Sequence, residues 1–271
     1  MAEEAGEDAT SPALGDHTRG AQVVETHVVL ADAHFPFQDE AALAVALKIA
    51  KAAKPDRIWL LGDFLDFAPV SRFRDAARYR HTIQDEFDLL IAWLKKVRRT
   101  FPDVPIEYLL GNHEHRQKYF MWSNAKEIES LRTTRFEHQF LLDEDMQPLN
   151  LGIHFRTGKH CLTHKFVLKH GSRANLYACR WEYEDEGRSG ASGHMHRSGS
   201  WSWSRPGTGG DTWYGIGCLC DLNPKYKEDD GKPSPWNHGM AVLTKEGSRV
   251  GVENVVIEKG QALWRGRSYT A

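Results

Sequence analysis

No stretch of the 271-residue chain is apolar for long enough to cross a bilayer, since a spanning helix needs about 20 such residues. Cysteine is scarce: Cys161, Cys179, Cys218 and Cys220, with no C-x-x-C pair among them. A C-x-C expected on a strand is poor zinc-finger spacing, and so few thiols in a chain this long do not make a disulfide scaffold. They point instead to reduced, mostly buried side chains and a cytoplasmic setting. A surplus of charge is missing too. Lys and Arg number 35 against 37 Asp and Glu, for a formal charge of -2, which leaves no global pull toward nucleic acid or membrane. A local basic groove stays open. The opening "MAEEAGEDATSPALGDHTRG" has neither a basic n-region nor an apolar h-region, so no signal peptide is expected. Residues 1 to about 21 also lack periodicity and read as a disordered acidic tail before one domain over residues 22–271.

What is present is ordinary globular material, 41% hydrophobic and 27% charged, enough to bury a sizeable core. "VVETHVVLADAH", "RIWLLGD" and "PIEYLLGN" read as buried strands running into polar loops. Between them, "EAALAVALKIAKAA" and "TIQDEFDLLIAWLKKVRRT" carry helical periodicity, the second acidic early and basic late as the macrodipole favours. A further helical stretch is expected around "NAKEIESLRTT". "HCLTHKFVLKHG" and "SRANLYACRWEYEDEG" read as strand and helix, and strands dominate after residue 197 with a turn at "RPGTGG". Strand–helix alternation with crossover-length connections predicts an α/β sheet whose ligand site lies at the C-terminal strand ends.

Those strand ends read, in order, "ADAH", "LLGDFLDF", "LLGNHEHR" and "VLKHGS", with "GASGHMHR" following. Singly each is weak, because Asp and His are common in turns. Together they supply Asp, Asn and His donors suited to two divalent first-row metals in mixed nitrogen and oxygen coordination. Strand alternation would point His194 and His196 the same way. Glycines 62, 111 and 193 stand just before candidate ligands, where tight turns and close backbone approach to an ion are useful.

The ordered set D-x-H, G-D-x-x-D, G-N-H-E, H-G and G-H-x-H, spanning residues 32 to 196, resembles the calcineurin-like metallophosphoesterase superfamily. The resemblance implies a four-layer α-β-β-α sandwich of two mixed sheets flanked by helices, with a dinuclear site at its top edge. It implies Asp32, His34 and His196 on a first metal, Asp63 bridging, and Asn112, His170 and His194 on a second. It further implies His113 acting on substrate with Asp66 orienting its ring. Mn²⁺ or an iron–zinc pair suits such ligands, and the reaction implied is in-line attack on a phosphate ester by hydroxide formed between the metals. A softer similarity, through "GCLCDLNPKY", is to compact phage and bacterial members near the DNA repair nucleases.

Several residues stay open at this level. Glu114 is expected to be a structural acceptor. Arg116 is either a contact for substrate phosphate or an exposed arginine at a helix start. Arg72, Arg74, Arg78 and Arg80, with Phe73 and Tyr79, either track a nucleic-acid backbone or form a solvated face. His164 competes with His170, which alone precedes a glycine at a strand end. Trp201, Trp203 and Trp213 are expected in the core, and Trp181 and Trp236 could border the site. The expected activity is a phosphodiesterase or nuclease acting on DNA or RNA. The alternatives are a phosphomonoesterase, on a small metabolite or a polynucleotide end, and a non-catalytic scaffold. No membrane partner is expected, and the sequence leaves the oligomeric state open.

Overall fold

The computed structural model describes residues 23–71, 80–142, 145–205, 209–224 and 234–271. The expected acidic tail, Arg72, Arg74 and Arg78 with their aromatic neighbours, and part of the "RPGTGG" turn lie outside these residues. In chain order the elements begin with β1 (Val24–Leu30), α1 (Glu40–Ala53), β2 (Arg57–Leu60), α2 (Ile83–Thr100), β3 (Ile106–Leu109), α3 (Glu114–Asn124) and β4 (Ile153–Arg156). They continue with β5 (Lys159–Thr163), β6 (Phe166–Lys169), α4 (Ala178–Glu186), β7 (Ser189–Ser192), β8 (Gly199–Arg205) and β9 (Gly209–Gly215). Strands β10 (His238–Glu246), β11 (Arg249–Ile257), β12 (Gln261–Trp264) and β13 (Arg267–Thr270) complete the chain.

Two mixed sheets result. The first has the order β11-β10-β1-β2-β3-β4, with β1 to β4 parallel and β10 antiparallel to both β1 and β11. The second runs β5-β6-β7-β9-β8, parallel at its centre and antiparallel at both edges. A strand buried on both faces sends alternate residues into different cores, which is why these strands read as continuous apolar runs. Val28, Leu30, Ile58, Leu60, Ile106 and Tyr108 join the core formed with α1 and α2. Their neighbours Val29, Ala31, Trp59, Leu61 and Leu109 face Phe166, Leu168 and Ala191 of the second sheet. Val167 and Trp213 point outward to Tyr183 of α4. Helices, sheet, sheet and helix therefore stack as the expected four layers. No helix among the described residues is long and apolar enough to cross a membrane.

Both long helices begin where the sequence signals them. The Asp39 carboxylate accepts from Ala42 N at 2.7 Å at the head of α1, and Thr82 and Asp85 form a capping box at the head of α2. The stretch around "NAKEIESLRTT" departs from expectation. Helix α3 lies before it and ends at Asn124, and turns and a short 3₁₀ segment (Arg132–Thr134) follow. Ile128 and Leu131 there are exposed, so helical propensity has no buried face to act with. Trp213 is fully buried, but Trp203 is 49% exposed and stacks on Trp201 rather than entering the core. Cys218 and Cys220 sit at isolated bridge positions in a loop, not on a strand.

Leu94 is fully buried on the core face of α2, while Leu89 on the same helix is largely exposed. Urea denaturation should show Leu94→Ala destabilised by about 2–5 kcal/mol, and Leu89→Ala changed by no more than about 0.5 kcal/mol.

Candidate metal centre

Five loops meet at the C-terminal edge of the two sheets, one after each of β1, β2, β3, β6 and β7. The β1 and β2 loops are stitched by backbone bonds: Asp32 N donates to Gly62 O (3.2 Å), His34 N to Asp63 O (2.9 Å) and Phe35 N to Phe64 O (2.7 Å). Asp32 (φ 54°), His34 (51°), Asp63 (51°), His194 (68°) and His196 (54°) all adopt the left-handed conformation. Each costs on the order of 1 kcal/mol relative to ordinary backbone, so the concentration of five here marks a site built for something other than stability. The two glycines that precede such residues leave no room for a side chain. A Cβ on Gly193 would lie 2.6 Å from Asp32 Oδ2, and one on Gly62 would lie 2.8 Å from His170 Nδ1. They admit the candidate ligands themselves, rather than an approach of backbone to an ion.

The side chains so placed form two groups. In the first, His34 Nε2 lies 3.1 Å from His196 Nε2, and His196 Nε2 lies 3.5 Å from Asp32 Oδ1. In the second, His170 Nε2 lies 3.0 Å from Asn112 Oδ1 and 3.1 Å from His194 Nδ1. Asp63 stands between them, its Oδ2 3.2 Å from His170 Nε2 and 3.9 Å from His34 Nε2. Its other oxygen accepts from His113 N at 2.9 Å and so caps α3. All seven residues singled out in the sequence as candidate ligands are thus brought together. His194 and His196 belong to different groups as the resemblance implied, but they lie on left-handed backbone in a loop and not on a strand that would point them the same way. His164 is exposed at the β5–β6 turn, away from the cluster.

Two buried glutamates hold the loops. Glu114 accepts from Asp63 N (2.9 Å), Phe64 N (2.8 Å), Leu65 N (3.2 Å), Gly111 N (2.8 Å) and the Tyr108 hydroxyl (2.7 Å). It is the structural acceptor its position suggested. Glu86 accepts from Phe67 N (2.6 Å) and Ala68 N (3.1 Å). It reads in sequence as a first-turn acid serving the macrodipole, so its loop-holding role gave no signal there. Burial and the nearby Asp66 carboxylate push its pKa up to about 8.

His113 lies at the edge of this floor. Its Nδ1 is 2.9 Å from Asp66 O and 3.2 Å from Asp66 Oδ1, and the same Asp66 oxygen is 2.9 Å from His34 Nδ1. Asp66 therefore orients a candidate ligand as well as His113, a double role the motif did not announce. Arg116 is no exposed helix-start residue. Its guanidinium donates to Asp66 O (2.8 Å) and to His113 Nε2 (2.7 Å). Trp236 borders the centre, edge-on to His196 with centroids 4.1 Å apart, whereas Trp181 sits on α4 beside Arg173 and Arg180. Cys220 Sγ, 4.0 Å from His196 Nδ1, and His238, bonded to Cys220 O at 2.8 Å, buttress the far side.

The donor chemistry fits divalent cations. Asp32 and Asp63 are buried at the centre, and the cationic groups facing them are imidazoles. Burial and the Asp63 charge raise Asp32 to about 6. Although burial opposes it, Asp63 and Asp32 push His170 up to about 10. The protein alone must place a proton where its carboxylates demand positive charge. His34 and His194, by contrast, are pushed below the usual imidazole range by burial and by neighbouring histidines, the direction that favours metal ligation. Ring nitrogens face one another at 3.1 Å in each group, a convergence from which one cation could take a lone pair from each ring. Imidazole, carboxylate and amide oxygen together suit first-row divalent metals.

Removing the Glu114 carboxylate strands five buried donors at once. Chemical denaturation should show Glu114→Ala destabilised by more than about 4 kcal/mol. Glu114→Gln should not restore the loss, because an amide nitrogen would face N–H donors.

Comparison with known proteins bears on the same residues. The chain is 26% identical over 258 residues to the Gene 54 protein of Mycobacterium phage L5, covering 89% of this chain and 96% of that one. The Gene 54 protein of Mycobacterium phage D29 is 24% identical over 247 residues, with 86% and 94% covered. Among solved structures, Vacuolar Protein Sorting 29 from Cryptosporidium parvum matches at 10% identity and TM-score 0.43, covering 92% of this chain and 96% of that chain. Yfce, a phosphoesterase from E. coli, matches at 14% identity and TM-score 0.36, covering 86% and 100%. Residues 26–213 match the family Calcineurin-like phosphoesterase, a span that takes in most of the chain and every residue from Asp32 to His196. On that match the chain belongs to the calcineurin-like phosphoesterases.

Proposed function

We propose that this metal-dependent phosphoesterase carries a dinuclear Mn²⁺ centre and hydrolyses phosphodiesters, with nucleic acid as the substrate class. The observation that carries the proposal is the position of Asp63 Oδ2, which faces one donor group at 3.2 Å and the other at 3.9 Å. Asp32, His34 and His196 would hold one cation, Asn112, His170 and His194 the other, with Asp63 common to both. When bound, such a pair supplies the acidity that readies water for attack near neutral pH and offsets the charge of the phosphoryl oxygens.

The remaining chemistry belongs to side chains. His113 has Nδ1 fixed by Asp66, which leaves Nε2 to deal with substrate. Although burial opposes it, Asp63 and Asp66 together raise its pKa. A charged ring can protonate a leaving oxygen. Arg116 competes for that same nitrogen in the free protein, since a guanidinium N–H can donate only to an unprotonated Nε2. A phosphoryl oxygen at this spot would draw the guanidinium away and leave Nε2 free to carry its proton. A diester brings a single negative charge, which suits a site where, among the described residues, Arg116 is the guanidinium bonded to the catalytic histidine. A monoester dianion would call for more.

Purified protein with Mn²⁺ should turn over bis-nitrophenyl phosphate and labelled single-stranded DNA. Chelation should stop turnover, and added Mn²⁺ should restore it. His113→Ala should lower kcat by roughly 10²–10⁴-fold while elemental analysis finds the metal content unchanged. Because the imidazoles must be neutral to ligate, bound metal should be lost as pH falls through the histidine range. Turnover of nitrophenyl monophosphate alone would assign a phosphomonoesterase instead. Absence of both metal and turnover would leave the scaffold reading.

A further inference from the structure

Helix α3 is built inside out. Its buried residue is Glu114, and its large side chains face solvent: Tyr119 is 50% exposed and Phe120 43%. A helix ordinarily turns its apolar stripe to the core. Here the carboxylate does the anchoring, and the aromatics are displayed. They are displayed toward something, because Arg116, Tyr119, Phe120 and Ser123 share one helix face and, with Asn112 just before the helix, line a cleft of about 720 Å³ against Pro69 and Val70. That volume is in the range of small-molecule sites. The cleft opens directly from the metal centre, since Asn112 and Arg116 belong to both. Its aromatic wall is also braced: Tyr119 packs edge-on to Trp122 with centroids 5.7 Å apart and lies against His115 at 6.2 Å.

We infer that this cleft holds the nucleoside attached to the phosphate being cleaved, with the base against Tyr119 and Phe120, one helical turn beyond Arg116. The inference rests on the diesterase reading and narrows it to substrates carrying a nucleoside next to the reacting phosphorus. A flat, largely uncharged ring is the group that such a wall takes, and stacking on aromatics tolerates any base. Ser123 on the lining offers a hydroxyl to its edge or to the sugar. A simple alkyl substituent would leave the cleft to water.

Two esters with one leaving group test this: p-nitrophenyl thymidine 5′-phosphate and p-nitrophenyl methyl phosphate, offered to the Mn²⁺-loaded protein. Wild type should favour the nucleoside ester in kcat/KM, and Tyr119→Ala with Phe120→Ala should reduce that preference about tenfold. No preference in wild type, or an equal fall on both esters, would overturn the inference. Calorimetric titration of thymidine 5′-monophosphate into His113→Ala protein, with and without the two alanines, reads the cleft apart from catalysis. Affinity should drop at least fivefold when the aromatics go, and equal affinity would overturn the cleft assignment even with turnover intact. Tyr119-dependent binding with neither ester turned over would instead sink the diesterase reading and leave the cleft standing.

Discussion

The active edge depends on one buried carboxylate. Glu114 opens α3, yet its oxygens lie beneath the β2 and β3 loops, accepting from Asp63, Phe64, Leu65 and Gly111. Loop amides that leave a parallel sheet have no ladder partner, and stranding them costs about 1–3 kcal/mol each. A single side chain answers four of them and takes the Tyr108 hydroxyl as well. It thereby fixes where Asp63 stands relative to Asn112, that is, where the shared carboxylate stands relative to the second donor group. Glu86 repeats the device one loop further on, at Phe67 and Ala68, and so sets the backbone that carries Asp66.

Held this way, the loops can keep a conformation that the chain would otherwise avoid. Five side chains of the cluster leave left-handed backbone, and two buried carboxylates face a crowd of imidazoles. The first is a cost that the surrounding hydrogen bonds must hold in place, and the second is one that bound cations would offset. Cations between the groups would offset the charge of Asp32 and Asp63 and take the converging imidazole nitrogens as ligands. Metal binding should therefore be strongly coupled to stability at this edge and weakly coupled to the α1–α2 core, which is apolar and complete without it.

The fold was legible because its strands are buried on both faces and read as unbroken apolar runs. Ile58 to Leu61 shows why: alternate residues go to different cores, and all four must be apolar. The candidate site was legible as an inventory, since each donor follows a strand end. Its geometry was not. "GHMH" reads as pleated alternation, but nothing in the letters reveals the left-handed φ of His194 and His196. Glu86 resembles a first-turn acid, and only the packing of α2 under residues 67–68 shows otherwise. "NAKEIESLRTT" failed in the other direction: its propensity is helical, but Ile128 and Leu131 find no core to enter.

The same logic accounts for α3. With its first residue committed to the sheet-edge loops, the helix is anchored at the N-terminus and needs no apolar stripe to stay in place. Core packing then places no demand on positions 116, 119, 120 and 123, the face that follows Asn112. Sequence on that face can answer to whatever occupies the centre, which is where Arg116 reaches both Asp66 and His113 and where the aromatic wall rises. A carboxylate needed to hold two loops together thus leaves a helix face beside the candidate ligands, and a substrate bound there would be positioned by the same loops that position those ligands. Side chains at Tyr119 and Phe120 can vary without disturbing the candidate ligands, because Glu114, which holds the Asp63 loop, lies on the buried side of the helix.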